Sequence, residues 1–295
     1  MNIILKNIKD YNETNKTKLN FEKLPLPLEL FLTIFSQLNS QIGALRTLCY
    51  LNKQWHQIIN QSNLWKTAIY NEIAFGNEKW AKIFGPEVVE GEDLIEEFSS
   101  IPWEALIADC AKFQEIINAE KNFYPPKAKA IDILMLVRLP KKLNGGLTLK
   151  TICQLAKKRF PDKATGYRIY GTCLNEELLK DKSIEKSQWV VMQKFCLPES
   201  NNKSYEEEQQ MVADLTQPLK LSGYGVPETL KFVTCLFVEY LCSKSTFLRE
   251  HGRFVRAKEN LYPHHASVSN RADGLWVGSS GDSIPGDGVM LMREF

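Results

Sequence analysis

The cysteines of this sequence offer no pairing pattern. Seven of them (Cys49, Cys110, Cys153, Cys173, Cys196, Cys235 and Cys242) are spread over 295 residues. The count is odd and no two stand in a C-x-x-C pair, which excludes a disulfide framework and points to a reducing compartment. Net charge is also scarce. With 37 basic against 35 acidic side chains the formal charge is only +2, so no overall field drives the chain toward nucleic acid or an anionic membrane, although charge can be segregated locally. Long apolar runs are missing too. The densest one, Thr229 to Leu241, is interrupted by Lys231 and Glu239 and falls short of the roughly 20 residues that span a bilayer, so no membrane segment is expected. Residues 1–23 have too short an apolar run and too many polar residues for a secretory signal, and read as a mobile leader. No internal repeat is visible, which excludes leucine-rich and propeller architectures.

What is present is enough apolar material, 44% of residues, to fill real cores at this length. The most concentrated motif is "LPLPLELFLTIFSQL", Leu24 to Leu38. Pro27 suits the first turn of a helix, where its missing N–H costs nothing, and Glu29 puts negative charge near the positive end of the helix dipole. Leu30, Phe31, Ile34, Phe35 and Leu38 then recur on one helical face, while Leu28 and Leu32 lie toward another. A second helix carries Leu45, Leu48 and Cys49, a third Leu51, Trp55, Ile58 and Ile59, and after "NQSN" a fourth begins with Leu64, Trp65, Ala68 and Ile69. So small a unit is marginal by itself, and its surplus apolar surface either packs on residues further along the chain or waits for a partner.

The order "LPLELFLTIFSQL", "LNKQWHQI", "NLW" resembles the F-box, the module by which substrate receptors dock onto the Skp adaptor of cullin-type ubiquitin ligases. Leu26, Pro27, Glu29, Ile34, Phe35, Leu38, Leu51, Lys53, Trp55, Leu64 and Trp65 follow the family's order. Asn52 stands where Cys is usual and His56 where Arg is usual; neither change removes an apolar anchor. The resemblance implies an adaptor-binding surface on or near Leu26, Pro27, Leu28, Glu29, Ile34, Phe35 and Leu38, with Trp55, Leu64 and Trp65 completing the module. "SQWVVMQKFCLPESNNKSYEEEQQ" and the ending "DGVMLMREF" are further similar to F-box-bearing proteins of bacteria that live inside protists. That likeness implies a secreted effector acting in the host cytoplasm on an unidentified host target.

After the module, Glu87, Glu90, Glu92, Asp93, Glu96 and Glu97 arrive without an intervening Lys or Arg. Such a run reads as a solvated surface or linker, which sets a soft boundary between about 84 and 101. The expected domains are therefore a leader at 1–23, an F-box-like helical module at 24–84 and a domain at 101–295. "SSIPWEALIADCAKFQEIINAEKNF" reads as a helix entered through a capping box of Ser100 and Glu104, with Leu106, Cys110, Phe113 and Ile117 on its inner face. "IDILMLVRL" (Ile131 to Leu139) has the branched, near-continuous character of a buried strand, and "LTLKTICQLAKKRF" is an amphipathic helix. "GYRIYG" and "SQWVVMQKF" are further strands, "SYEEEQQMVADL" a helix capped by Ser204, and "PETLKFVTCLFVEYL" another starting at Pro227. "FVRAK", "HASVSN", "LWVGSS" and "GVMLMREF" are strand-like with Gly-, Asp- and Ser-rich turns. The fold class is α+β: an N-terminal helical F-box-like module, then a mixed α+β domain with a strand-rich C-terminal end.

Chemistry-bearing motifs are sparse. His264 and His265, with Asp273, Asp282 or Asp287 and any cysteine, are the residue types of a thiol-dependent hydrolase or transferase, for which the module would serve only as a localiser. No elbow or signature surrounds any Cys. His251, His264 and His265 lack metal-ligand spacing, so neither metal nor cofactor is expected. "NGG" (Asn144 to Gly146) lacks the Gly-Lys-Ser/Thr ending of a P-loop and reads as a loop between strand and helix. A basic block supplies one further candidate. If Lys141, Lys142, Lys157, Lys158 and Arg159 converge they can meet an anionic ligand; otherwise they form a solvated face or complement the acidic run within the same molecule. Phe160, Tyr167 and Tyr170 flank the block, but no RNA-binding motif accompanies them, so nucleic acid is not an expected partner.

Overall fold

The computed structural model of the protein describes residues 64–92, 97–119, 128–161, 167–175, 182–217, 223–243, 254–261, 264–271, 274–280 and 287–295, with Leu179 and Leu221. The chain divides into two units, Met1–Ala74 and Phe75–Phe295. In the first, the described residues are helix α1 (Leu64–Ile73) and Ala74.

The second unit is α+β. Its longer described helices are α2 (Asn77–Phe84), α3 (Trp103–Ala119), α4 (Leu149–Arg159), α5 (Tyr205–Thr216) and α6 (Thr229–Ser243). One five-stranded sheet runs in the order β1 (Ala74–Phe75), β2 (Leu134–Leu139), β4 (Gln188–Gln193), β10 (Met292–Glu294), β5 (Tyr224–Gly225). Its β2–β4–β10–β5 part is antiparallel, with Val137 opposite Val190 and Met192 opposite Met292. The other sheet orders β3 (Arg168–Tyr170), β8 (Gly274–Ser280), β7 (His264–Arg271), β6 (Phe254–Leu261) and β9 (Asp287–Gly288). Hairpin neighbours β6–β7 and β7–β8 pair antiparallel, whereas the edges β3–β8 and β6–β9 pair parallel. Strands are thus concentrated toward the C-terminal end.

Helix α6 explains the apolar run that is too short for a bilayer. It touches β2 of one sheet and β6 and β7 of the other, and every residue from Thr229 to Val238 is buried. A helix enclosed on all sides can be apolar on all sides. Lys231 is tolerated there because its ammonium reaches Glu294 at 2.6 Å and Glu228 at 3.2 Å. The helix start is fixed by Glu259 on β6, whose carboxylate accepts from the Thr229 N–H at 2.8 Å and from its hydroxyl at 2.6 Å, which places negative charge at the helix N-terminus. Lys182 joins from outside, 2.8 Å from Glu259 and 3.2 Å from Glu228. Burial alone would lower the Lys182 pKa, but the hydrogen bonds and charges of Glu259 and Glu228 prevail and raise it. For Glu228, burial is likewise outweighed, by Lys231 and Lys182, and its carboxyl is held down.

The division at Ala74 falls ahead of the acidic stretch at 84–101. Its cause is packing: Phe75, Trp80, Phe84, Val88 and Val89 are buried in one apolar cluster with Val137, Leu155 and Phe237. Trp80 anchors it by donating its indole N–H to the Arg138 carbonyl at 3.1 Å. The acidic run is correspondingly no bare linker. Glu97, buried, accepts from the Asn77 N–H at 2.7 Å and so sits at the start of α2. Glu92 accepts from the Lys142 N–H at 2.9 Å and the Ser187 hydroxyl at 2.5 Å.

Two local expectations are corrected. Ser100 is not half of a capping box with Glu104: its hydroxyl donates to the Glu97 carbonyl at 2.8 Å and accepts from the Trp189 indole at 3.0 Å. The strand expected from Ile131 begins only at Leu134, because Ala130–Ile133 is a helical turn that the Asp132 carboxylate closes by accepting from the Lys129 N–H at 2.9 Å.

Candidate functional site

Two places are candidates to carry function, the N-terminal module and the basic block. Of the module's candidate residues, Leu26, Pro27, Leu28, Glu29, Ile34, Phe35, Leu38 and Trp55 lie outside the described residues. Leu64 and Trp65 stand at the first and second positions of α1, the helix with which the motif closes.

The basic block is brought to the surface in two groups. Lys141 and Lys142 come after β2, and Lys157, Lys158 and Arg159 form the last turn of α4, where positive charge suits the negative end of the helix dipole. Segment 84–92 is held from both groups. Lys158 donates to the Phe84 carbonyl at 3.3 Å and lies 3.6 Å from Glu87, while Lys142 donates its ammonium to the Gly91 carbonyl at 3.4 Å and its N–H to Glu92. The Lys158–Glu87 pair is exposed on both sides, so it orients more than it stabilises. The Lys141 N–H donates to the Ser187 hydroxyl at 2.8 Å, and the Arg159 guanidinium sits 5.8 Å from the Phe160 ring centroid.

The residue types of thiol chemistry are placed differently. His264 and His265 are neighbours on β7, and the His265 ring stacks on Tyr205 of α5 with centroids 3.7 Å apart. Asp273, Asp282, His251 and Cys49 lie outside the described residues, and Asp287 begins β9. Cys110 and Cys153 are pushed up to about 11, in both cases chiefly by burial; the fully enclosed Cys235 is also raised. A thiol that serves as a nucleophile needs the opposite shift. Among the described residues no group of His, Cys, Asp and Glu could hold a metal ion, and no helix is long and apolar enough to cross a membrane. Asn144 to Gly146 form the loop between β2 and α4, with Asn144 at φ 48° and Gly145 at φ 86°. The helix start is occupied by Thr148, whose hydroxyl accepts from the Thr151 N–H at 3.1 Å.

Sequence reasoning missed the buried polar network at the C-terminus. Arg293 of β10 donates to both carboxylate oxygens of Asp109 on α3, at 3.0 and 2.8 Å, and the Tyr224 hydroxyl donates to the same carboxylate at 3.1 Å. Burial raises the Asp109 pKa despite Arg293 and Tyr224. The only sequence signal was Asp109 itself, an acid on the inner, apolar side of a helix.

Comparison with known proteins bears on the N-terminal part. A family model described as F-box-like matches residues 24–70. The chain carries an F-box-like module. The matched span is about a sixth of the chain and ends within α1. No curated protein and no solved structure matches this chain. An F-box-like module is a protein-interaction module, generally one that binds Skp-type adaptors, and the rest of the chain includes the α+β unit built around α6.

Proposed function

We propose that this F-box protein is a non-catalytic substrate receptor: residues 24–70 dock a Skp-type adaptor, and through it a cullin (SCF) ubiquitin ligase, while the α+β unit holds the target. The observation that carries this reading is the F-box-like match at 24–70, which coincides with the ordered anchors Leu26, Pro27, Leu28, Glu29, Ile34, Phe35, Leu38, Trp55, Leu64 and Trp65. Adaptor binding of this kind rests on a few apolar anchors desolvated at the centre of an interface. The setting we propose is a bacterial effector in the host cytoplasm, where it borrows the host ligase; support for it is the wording of residues 187–210 and of the C-terminus. The unit built around α6 suits a presenting role, since Glu259, Glu228 and Lys231 are spent on internal contacts and the Cys110 and Cys153 thiols are raised by burial. The basic block has no part in this proposal, because Lys142 and Lys158 hold the acidic segment at 84–92.

Expression of the tagged chain in eukaryotic cells, with blotting for adaptor and cullin in the precipitate, tests the reading. Both should accompany the wild type and be lost from the Leu26→Ala/Pro27→Ala variant. Absence of both from the wild-type precipitate would refute it.

A further inference from the structure

An open cleft of about 440 Å³ lies between the C-terminal halves of α3 and α5, with the loop after β4 completing it. Ile116 of α3, Leu197 of the loop, and Met211 and Leu215 of α5 give it an apolar lining, and Glu115 and Glu199 stand exposed at its edge. Its volume is in the range of ligand pockets, roughly 300–1,000 Å³, so it admits a few side chains and not a folded surface. Among the described residues no basic side chain lines it. The two wall helices carry exposed acids at Glu104, Glu115, Glu206, Glu207 and Asp214, against the single basic residue Lys112.

The cleft is preformed. The Leu197 N–H donates to the Val289 carbonyl at 2.8 Å, and the fully buried Ser200 hydroxyl donates to the Leu197 carbonyl at 2.8 Å while accepting from the Val289 N–H at 3.2 Å. Beside this clamp Glu199 stands at φ 60°, a left-handed value uncommon for a glutamate, and Asn202 at φ 62°, where asparagine is readily accepted. On the other wall, Glu208 of α5 lies 3.1 Å from Arg256 with both side chains fully buried, which fixes the helix that supplies Met211 and Leu215.

We propose that this cleft is the target-docking groove of the α+β unit, and that its occupant is a short polypeptide segment placing an apolar side chain between α3 and α5 with a Lys or Arg beside it. This rests on the substrate-receptor reading. The apolar lining supplies the affinity through burial, and the carboxylates at the rim select the sign of the flanking charge. A segment of polypeptide fits better than a small molecule because the described lining residues offer no buried polar side chain to orient one.

Random 12-residue peptides displayed on phage, selected on the full chain, supply the probe. The enriched peptides are then labelled with a fluorophore and titrated by anisotropy. Selection should enrich an apolar residue next to Lys or Arg. Ala119→Trp, at the exposed end of α3, fills the cleft and should weaken these peptides by about tenfold to a hundredfold. Glu115→Lys/Glu199→Lys alters only exposed side chains and should turn the selected flank from basic to acidic. Thermal melts of both variants establish that they are folded, and the charge-reversed chain serves alone if the tryptophan is not tolerated. Enrichment of no common pattern, a preference for acidic flanks on the wild type, or binding untouched by both changes would overturn the proposal. Adaptor binding measured alongside separates the two ideas: a chain that binds adaptor but no such peptide loses the groove, and one that binds the peptide but no adaptor loses the receptor reading.

Discussion

Arg256→Met is the change that should most damage the α+β unit without touching its apolar core. Arg256 on β6 and Glu208 on α5 are each fully buried and 3.1 Å apart, and the same guanidinium donates to the Lys203 carbonyl at 2.6 Å just ahead of α5. Two desolvated charges of this kind add little net stability as a pair, but removing one strands the other, at a cost of about 3–5 kcal/mol. In a unit of this size each kcal/mol shifts the midpoint by about 2–4 °C, so Arg256→Met should melt roughly 6–20 °C below wild type when monitored by circular dichroism at neutral pH. The double variant Arg256→Met/Glu208→Leu removes both charges and should regain at least half of that loss; the remainder reflects the Lys203 carbonyl left without its donor. A single variant within about 4 °C of wild type, or a double variant as unstable as the single, would refute the reasoning.

Other parts of the structure lead to three further outcomes. Burial raises the Glu239 carboxyl on α6 to about 7, against an opposing contribution from Lys194. The native state therefore keeps a proton that the unfolded chain releases near 4.5, and the associated stability is present below that pH and lost as pH rises through about 7. Glu239→Gln should thus gain on wild type by up to about 3 kcal/mol between pH 5 and pH 8 in urea titrations, and a gap that does not change with pH would contradict this. Ser204→Ala removes the cap that accepts from the Glu207 N–H at 3.2 Å and should cost about 1 kcal/mol; no change in the melt would deny the cap its role. Gly274, at φ 137°, has no room for a Cβ, which would run into the Arg168 carbonyl on β3. Gly274→Ala should part β3 from β8 and expose the amides of Arg168–Tyr170 to hydrogen exchange, and unchanged protection would contradict the pairing.

Much of the α+β unit was legible because local chemistry and tertiary packing agree there. Ser204 announces α5, and the amphipathic stretch from Leu147 to Phe160 announces α4. The four C-terminal segments, strand-like between Gly-, Asp- and Ser-rich turns, all contribute strands. Where a local signal met a competing partner it misled: Ser100 had the look of a cap but serves Trp189, and Asp132 turned the start of an apolar run into a helical turn. The acidic run read as a solvated surface or linker because its partners Lys142, Ser187 and Lys158 lie about 50 to 95 residues away, although complementing it was one reading of the basic block. The groove was invisible for the same reason, since Ile116 and Met211 become neighbours only through the fold. The module, by contrast, was legible from its order of anchors alone, as the family match at residues 24–70 bears out.

The proposed adaptor surface is made by apolar residues at the front of the chain, and calorimetric titration of the full chain with a purified Skp-type adaptor measures it. Saturable one-to-one binding is expected, which Leu26→Ala/Pro27→Ala weakens by at least about tenfold, the loss that follows when an apolar anchor of an interface is removed. Heats no different from buffer dilution for the wild type, or equal affinity for the double variant, would contradict it.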